Sequence, residues 1–244
     1  MSQRDGNVVV LYKGGRLPSW FQLSSDERKN YEQAHVDLML SVAREHHLIR
    51  LEGFRLMDPQ DCWQRFWLIE FPSLAGAESW IEAEMAPPYG SYGFYEYHLS
   101  RPWKPNFDTQ WCREAEENPV TDVHDPHTIP VLNVDTQSIV LLMFERYRPH
   151  GEELTAERRG DLQRADALRE LADRHGLTRL ESFQLLAPQD AWHRAWVIEL
   201  PTLEAVEEWV VTEESLPYGR YVQRSFHLAR KWAPNYFASW AHLS

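Results

Sequence analysis

The sequence predicts an α+β protein made of two similar halves, and three observations support this prediction. Residues 46–111 align with residues 175–240 at a constant offset of 129, and 31 of the 66 aligned pairs are identical. Both copies show the same order of strand-like and helix-like segments. Proline and glycine interrupt both copies at corresponding places. Because an internal repeat reflects architecture, we expect one molecule with two like halves.

Local patterns define the elements of the first half. The β-branched run at 7–13 predicts a strand, and an apolar stripe at 25–45 predicts a helix with Ser24 or Ser25 as its N-cap. Two further strands are predicted around a Pro-containing turn, followed by a short helix and a last strand. These segments cover 50–57, 62–71, 74–85 and 92–99.

The second half repeats this order. Thr155 is the predicted cap of its first helix, which follows a strand at 138–145. The later strands and the short helix are predicted at 178–186, 191–200, 203–215 and 221–228. The predicted domain boundaries are 1–112 for the first half, 113–137 for a polar linker and 138–244 for the second half.

The order β-α-β-β-α-β is that of a ferredoxin-like sandwich, a four-stranded antiparallel sheet with two helices on one face. The open face of such a sheet needs a partner. We therefore expect the two sheets to face each other as a pseudo-twofold α/β barrel. This leaves two oligomeric states open, a monomer with an internal pseudo-dimer and a homodimer.

The element order and the repeat together resemble the dimeric α/β-barrel superfamily in a fused, tandem form. The resemblance covers nearly the whole chain but includes no catalytic signature. It implies a site inside the barrel or between sheet and helices. Members include muconolactone isomerases, polyketide cyclases, cofactor-independent monooxygenases and haem-binding branches, and no motif selects one of them.

Composition excludes several classes of function. A net charge of −12 argues against a nucleic-acid partner, and no apolar run is long enough to span a membrane. The N-terminal residues lack a signal-peptide pattern, and Cys62 and Cys112 occur in only one copy, so a cytoplasmic protein is expected. The linker cluster of Asp122, His124, Asp125 and His127 is interpreted as solvated, so no metal site is predicted.

Comparing the copies shows which faces of the middle strands are retained. Period-two alternation places each retained set on one face of the sheet. The predicted substrate-binding residues on these strands are Glu52, Trp63 and Trp67 with their counterparts Glu181, Trp192 and Trp196. Arg65 and Arg194 share these retained sets. They are either cross-strand partners of the glutamates or groups directed at an anionic or carbonyl-bearing ligand.

His98 and His227 occupy equivalent places on the last strands. Histidine is suited to proton transfer near neutral pH, although each ring can equally satisfy a buried hydrogen bond. Tyrosines upstream could orient a phenol or enolate. The predicted ones are Tyr89, Tyr92, Tyr218 and Tyr221.

A repeated W-x-P-N tail follows each last strand, at 103–107 and 232–236. We expect it to act as a lid or clasp over the partner half. Gln64 is replaced by His193 in the second copy, so the two halves need not have the same activity.

The leading functional hypothesis is an enzyme without organic cofactor that acts on an aromatic or polyketide-like small molecule. It would be an isomerase, cyclase or monooxygenase with His98 and His227 as acid/base and Arg65 and Arg194 as oxyanion stabilisers. The first alternative is a non-catalytic ligand-binding or stress-related module. The second alternative is a haem-binding protein.

Overall fold

The computed structural model describes residues 6–60, 63–103, 132–133, 137–189, 192–234 and 241–242. These residues form two compact units. Unit 1 contains the described residues within 6–101, together with 132–133, 231–234 and 241–242. Unit 2 contains the described residues within 102–103 and 137–230.

Unit 1 contains a four-stranded antiparallel sheet in the order β4-β1-β3-β2. Its strands and helices are β1 (Val8–Arg16), α1 (Ser25–Glu45), β2 (Arg50–Gln60), β3 (Trp63–Phe71), α2 (Leu74–Glu84) and β4 (Gly93–Pro102). Single 3-10 turns at Pro18–Gln22 and Tyr89–Tyr92 precede α1 and β4. In addition, β5 (Leu132–Asn133) pairs in parallel with β10 (Ala241–His242).

Unit 2 has the corresponding sheet, in the order β9-β6-β8-β7. Its elements are β6 (Ile139–Tyr147), α3 (Pro149–Glu152), α4 (Ala156–Arg159), α5 (Asp161–His175), β7 (Arg179–Gln189), β8 (Trp192–Leu200), α6 (Leu203–Glu213) and β9 (Val222–Lys231). Thr155 caps α4, as predicted for the first helix. Gly160 then adopts a left-handed φ of 80° and separates α4 from α5.

The helix starts follow from their caps. At α1 the Ser24 hydroxyl accepts from the Glu27 main-chain nitrogen at 3.2 Å, and the Glu27 carboxylate accepts from the Ser24 nitrogen at 2.9 Å. This reciprocal capping box satisfies two amide groups that the first turn leaves open. Ser73 and Thr202 cap α2 and α6 through the first of these two hydrogen bonds, in which the capping side chain accepts from a main-chain nitrogen.

One face of each sheet is covered by the two longest helices of the same unit, α1 and α2 in unit 1 and α5 and α6 in unit 2, and we call it the helix-covered face. In unit 1, α1 and α2 pack their apolar side chains against β1, β2 and β3. The core residues include Val8, Val10, Tyr12, Met39, Val42, Leu51, Trp67, Ile69, Phe71, Ala77 and Trp80. In unit 2 the equivalent core includes Ile139, Leu141, Met143, Leu168, Leu171, Leu180, Trp196, Ile198, Leu200, Val206 and Trp209.

The segments after β4 and β9 belong to the unit that the other repeat builds. The main-chain nitrogen of Trp103 donates to the Ser182 carbonyl of unit 2 at 2.9 Å. The nitrogen of Trp232 donates to the Gly53 carbonyl of unit 1 at 2.8 Å. The start of each predicted tail therefore packs on the repeat from which it does not come, as the clasp hypothesis expects. The rest of each tail lies outside the described residues.

The structure confirms an α+β fold with antiparallel sheets. The barrel of facing sheets and the oligomeric state stay predictions. The units differ from the predicted boundaries at 112 and 138 because the segments after β4 and β9 change unit, and most of the predicted linker lies outside the described residues. No helix among the described residues is long and apolar enough to cross a membrane.

Candidate functional site

The structure places the predicted arginines and histidines on opposite faces of each sheet. Arg65 lies across from Gly14 and shares the helix-covered face with Trp67. His98 lies across from Leu11, one position out of phase with the core residues Val10 and Tyr12, and so points to the opposite face. The predicted combination of a histidine acid/base and an arginine oxyanion stabiliser is therefore not brought together.

On the opposite face of unit 1, His98 belongs to a small ionic group. Its Nε2 lies 2.8 Å from Glu96 Oε1, and the Lys13 ammonium lies 3.1 Å from the same oxygen. Glu52 also lies on this face, because it pairs with Leu68, which alternates with Arg65 and Trp67 along β3. The interpretation of Glu52 as a partner of Arg65 does not agree with this register.

Unit 2 repeats this separation with different partners. His227 Nε2 lies 2.6 Å from the Ser225 hydroxyl, and His227 is buried. Glu181 accepts from Arg179 on the same strand, at 2.5 and 3.1 Å. Both groups lie on the face away from the helices, whereas Arg194 lies on the helix-covered face.

The helix-covered face of unit 1 carries a buried polar cluster at the open end of its core. His35 on α1 lies with Nε2 3.4 Å from the Glu84 carboxylate on α2, and both side chains are at most 12% exposed. The His35 ring stacks on Tyr89, with 3.9 Å between centroids. The Arg16 guanidinium carbon lies 3.7 Å from the centroid of the Tyr89 ring and 4.8 Å from that of the Trp20 ring. These contacts tie α1, α2 and β1 together around one point.

A small cavity opens beside this cluster. The centre of a water molecule can occupy about 10 Å³ of it, which is room for roughly one water. Its walls come from both helices and from three strands. The lining residues are Tyr12, His35, Leu51, Arg65, Trp67, Ile69, Trp80 and Glu84. Of the sequence-predicted site residues, Arg65 and Trp67 line this cavity, and Tyr89 stacks on its His35.

The surroundings of the cavity keep Glu84 ionised and keep the phenols of Tyr12 and Tyr95 protonated. Burial alone would raise the pKa of Glu84, but the charge and hydrogen bond of His35, with Arg16 and Arg65, lower it below its ordinary value. Burial, reinforced by the charge of Glu84, raises the pKa of Tyr12 and raises that of Tyr95 to about 12. The phenols can therefore donate hydrogen bonds at neutral pH.

Unit 2 fills the corresponding place with its own ion pairs. Arg164 replaces His35 and donates two hydrogen bonds of 2.7 Å to Glu213, the counterpart of Glu84. The Arg224 guanidinium lies 3.1 Å from the same carboxylate. Glu145 lies 3.6 Å from Arg194 and 3.7 Å from Arg224.

These charges reinforce one another. Burial would raise the pKa of Glu213, yet Arg164 and Arg224 lower it. Burial would lower the pKa of Arg164, yet Glu213 raises it well above its ordinary value. Arg164 and Glu213 thus both stay charged at neutral pH.

The remaining predicted residues lie near the ends of strands. Trp63 contacts Lys13, and Trp192 contacts Phe144. Both partners belong to the faces away from the helices. The Tyr92 ring stacks on Tyr31 and lies tilted against Trp20. The Tyr221 carbonyl accepts from the Arg148 nitrogen at 2.8 Å. Tyr218 is buried under Arg164 and Arg224 at 4.6 and 4.8 Å.

Sequence reasoning missed His35, Glu84 and Arg16. A signal for Glu84 was present, because the glutamate is retained in both copies, as Glu84 and Glu213, near the end of a predicted helix. His35 lies outside the aligned stretch. Among the described residues, no group of three or more His, Cys, Asp or Glu side chains could hold a metal ion. The cluster at Asp122–His127 and both cysteines lie outside the described residues.

Comparison with solved structures identifies the fold. A chlorite dismutase variant from Candidatus Nitrospira defluvii superimposes with a TM-score of 0.71 at 12% identity, covering 94% of this chain and 92% of that one. The chain has the fold of the chlorite dismutases. The same enzyme in complex with imidazole gives a TM-score of 0.68 at 12% identity, covering 94% and 92% of the two chains. A variant in complex with cyanide gives 0.65 at 12% identity, with 96% of each chain covered.

No family model and no curated protein sequence matches the chain. The fold shared with these structures is consistent with the resemblance to the α/β-barrel superfamily. They overturn the leading functional hypothesis. Chlorite dismutases are haem-dependent, so the expectation of an isomerase, cyclase or monooxygenase without organic cofactor is wrong.

The two units differ in whether their residues suit a haem. Haem iron takes an axial ligand such as histidine, whose second nitrogen is usually hydrogen-bonded to a carboxylate or carbonyl. In unit 1 the pair of His35 and Glu84 has this chemistry, but the cavity beside it holds about one water and the His35 ring is stacked on Tyr89. In unit 2, Arg164 stands in the place of His35 and its two hydrogen bonds to Glu213 occupy the site. The donor set of unit 1 therefore suits haem, and that of unit 2 does not.

Proposed function

We propose that the chain is a non-catalytic binding module that holds a small ligand under the helices of unit 1. One observation carries the proposal. Equivalent places in the two units have different contacts. Unit 1 has a cavity beside His35 and Glu84, whereas Arg164 and Glu213 form a closed hydrogen-bonded pair in unit 2.

This difference distinguishes a ligand-binding site in unit 1 from a structural ion pair in unit 2. A buried ion pair such as that of Arg164 and Glu213 satisfies both groups within the protein and needs no ligand. In unit 1 the same framework is retained, but polar groups line a space that protein atoms do not fill. Polar groups converging on a partly apolar cavity are the usual form of a small-molecule site. Unit 2 then acts as a structural counterpart.

A pair of matched variants tests this proposal. Leu51 lines the cavity, and Leu180 is its counterpart in the closed unit. Leu51→Trp should fill the cavity, whereas Leu180→Trp imposes a similar overpacking cost on unit 2. The probe is formate, and its binding to each protein is measured by calorimetry.

We expect a saturable binding heat in the wild type and in Leu180→Trp, and its loss in Leu51→Trp. Equal binding heats in all three proteins, or no binding of formate to the wild type, would show that unit 1 is not a ligand site.

Haem binding is the second candidate function, favoured by the shared fold and by the pair of His35 and Glu84. Haem would supply redox chemistry at iron, with His35 as the ligand and Glu84 holding its ring. Titration with haemin decides between the candidates. A stoichiometric complex with a Soret band that is lost in His35→Ala, but kept in His227→Ala, would replace the first proposal.

A further inference from the structure

A short segment after each last strand packs against the core of the unit to which it belongs. We call these segments the straps. Residues 231–234 form the described part of the unit 1 strap, and residues 102–103 form that of the unit 2 strap. Trp232 and Ala233 pack against the core of unit 1, and Trp103 packs against that of unit 2. The straps therefore help to enclose the two cores.

The two straps differ in their hydrogen bonds. In unit 2 the Trp103 nitrogen donates to the Ser182 carbonyl at 2.9 Å, and the Ser182 hydroxyl donates to the Trp103 carbonyl. Gly53 is the counterpart of Ser182 in the repeat and has no hydroxyl. Within the described part of the chain, the Trp232 main chain therefore keeps only the bond from its nitrogen to the Gly53 carbonyl, at 2.8 Å. Release of the unit 1 strap breaks one hydrogen bond fewer than release of the unit 2 strap.

The unit 1 strap supports two residues of the cavity wall. The Trp232 ring lies 6.0 Å from the Trp67 ring and 5.6 Å from the Arg65 guanidinium carbon. Trp67 and Arg65 both line the cavity. Because Trp67 is buried among close-packed side chains, a shift of its ring requires its neighbour Trp232 to move as well.

The size of the cavity makes such a shift necessary for binding. The cavity holds roughly one water, and even formate is larger than a water molecule. A ligand of that size therefore needs a wall that moves. The buried contact of His35 and Glu84 joins α1 to α2, so these helices are less free to separate than a strap whose main chain is held by one hydrogen bond.

We propose that the unit 1 strap controls entry to the cavity, and that ligand binding requires Trp232 to leave Gly53. This control rests on the proposed function, because it concerns the same site. With the strap in place, Trp67 and Arg65 stay where they are and the cavity admits water only. With the strap released, both side chains can shift and admit a small ligand. The unit 2 strap stays in place because Ser182 adds a second hydrogen bond.

Amide hydrogen exchange of the full chain measures strap release without a ligand. We expect the protection factor of the Trp232 amide to be at least about fivefold lower than that of the Trp103 amide, which corresponds to roughly 1 kcal/mol, the net contribution of one hydrogen bond. Ser182→Ala removes the second bond and should lower the protection of Trp103 by a similar factor, with Trp232 unchanged. Equal protection of the two amides in the wild type would overturn strap control, as would unchanged protection of Trp103 in Ser182→Ala.

Formate links strap release to the ligand site. Because it binds the released state, saturating formate should lower the protection factor of Trp232 at least about threefold and leave that of Trp103 unchanged. Trp232→Ala removes the ring that supports Trp67 and should lower the formate dissociation constant about threefold in calorimetry. Trp103→Ala, the matched change in unit 2, should leave this constant unchanged.

If Trp232→Ala does not fold, the exchange of the wild type with and without formate decides alone. Binding of formate without any change at the Trp232 amide would overturn strap control while leaving the ligand site of unit 1 intact. No binding of formate to the wild type would remove the proposed function and strap control together.

Discussion

The main-chain nitrogen of Trp232 donates a 2.8 Å hydrogen bond to the carbonyl oxygen of Gly53, so the chain after β9 lies beside β2 at this residue. The Trp232 ring lies 6.0 Å from that of Trp67 and 5.6 Å from the Arg65 guanidinium. The tail therefore covers the strand that carries the cavity residue Leu51. Glycine at 53 permits this close approach.

Replacing Gly53 with alanine should destabilise the protein. The new Cβ would lie 2.4 Å from the Trp232 carbonyl oxygen and 2.8 Å from the Trp67 ring, so backbone or ring must move. Overpacking of this kind costs about 1–3 kcal/mol. Urea unfolding measures the free energy of unfolding. Gly6→Ala is the control, since a Cβ there meets nothing within 4 Å, and equal midpoints for the two variants would contradict the expectation.

Removing the tryptophan of the other tail should loosen unit 2. Trp103 lies 4.2 Å over the Arg194 guanidinium and 6.0 Å from the Trp196 ring, and its main chain is bonded to Ser182. Trp103→Ala deletes these ring contacts and should cost about 3 kcal/mol, the lower end for a packed aromatic, because the side chain is only partly buried.

Thermal and urea unfolding measure this loss. Trp103→Phe keeps an aromatic contact with Arg194 and should recover part of the lost stability. Wild-type stability in Trp103→Ala would mean that the tail does not hold unit 2 together.

The pair of Arg164 and Glu213 should be worth more than any surface pair. Arg164→Met leaves a buried carboxylate with only Arg224 beside it, and removal of one partner from a buried pair costs about 3–5 kcal/mol. The exposed pair of Arg169 and Asp166 is the control, and Arg169→Met should cost less than about 1 kcal/mol. Chemical unfolding compares the two variants. Similar losses would show that unit 2 does not depend on its buried network.

The sequence predicted much of this fold but combined the site residues incorrectly. Helix α1 was predicted to the residue, because its caps and apolar stripe are local features. Period-two alternation correctly grouped Arg65 with Trp67, yet it does not say which face of a strand the helices cover. The interpretation that joined Glu52 to Arg65 required the register between two strands, which depends on long-range pairing. His35 was missed for a similar reason, since its contact with Glu84 joins helices that are far apart in the chain.

The group of Glu96, His98 and Lys13 should make stability depend on acidity. The hydrogen bond from His98 and the charge of Lys13 lower the pKa of Glu96 to about 2, from an ordinary value of 4.5, against an opposing effect of partial burial. A carboxyl group whose pKa is lower in the folded state stabilises the fold above its unfolded pKa, and this contribution is lost as pH falls through the folded pKa. The window is therefore pH 4.5 down to about 2.

Other buried carboxylates lose stability in the same direction, so the difference between wild type and variant is the informative quantity. Glu96→Gln should flatten the dependence of the unfolding free energy on pH within this window, whereas Asp166→Asn, at an exposed carboxylate, should leave it unchanged. Parallel curves for wild type and Glu96→Gln would show that the folded state does not favour the ionised form of Glu96.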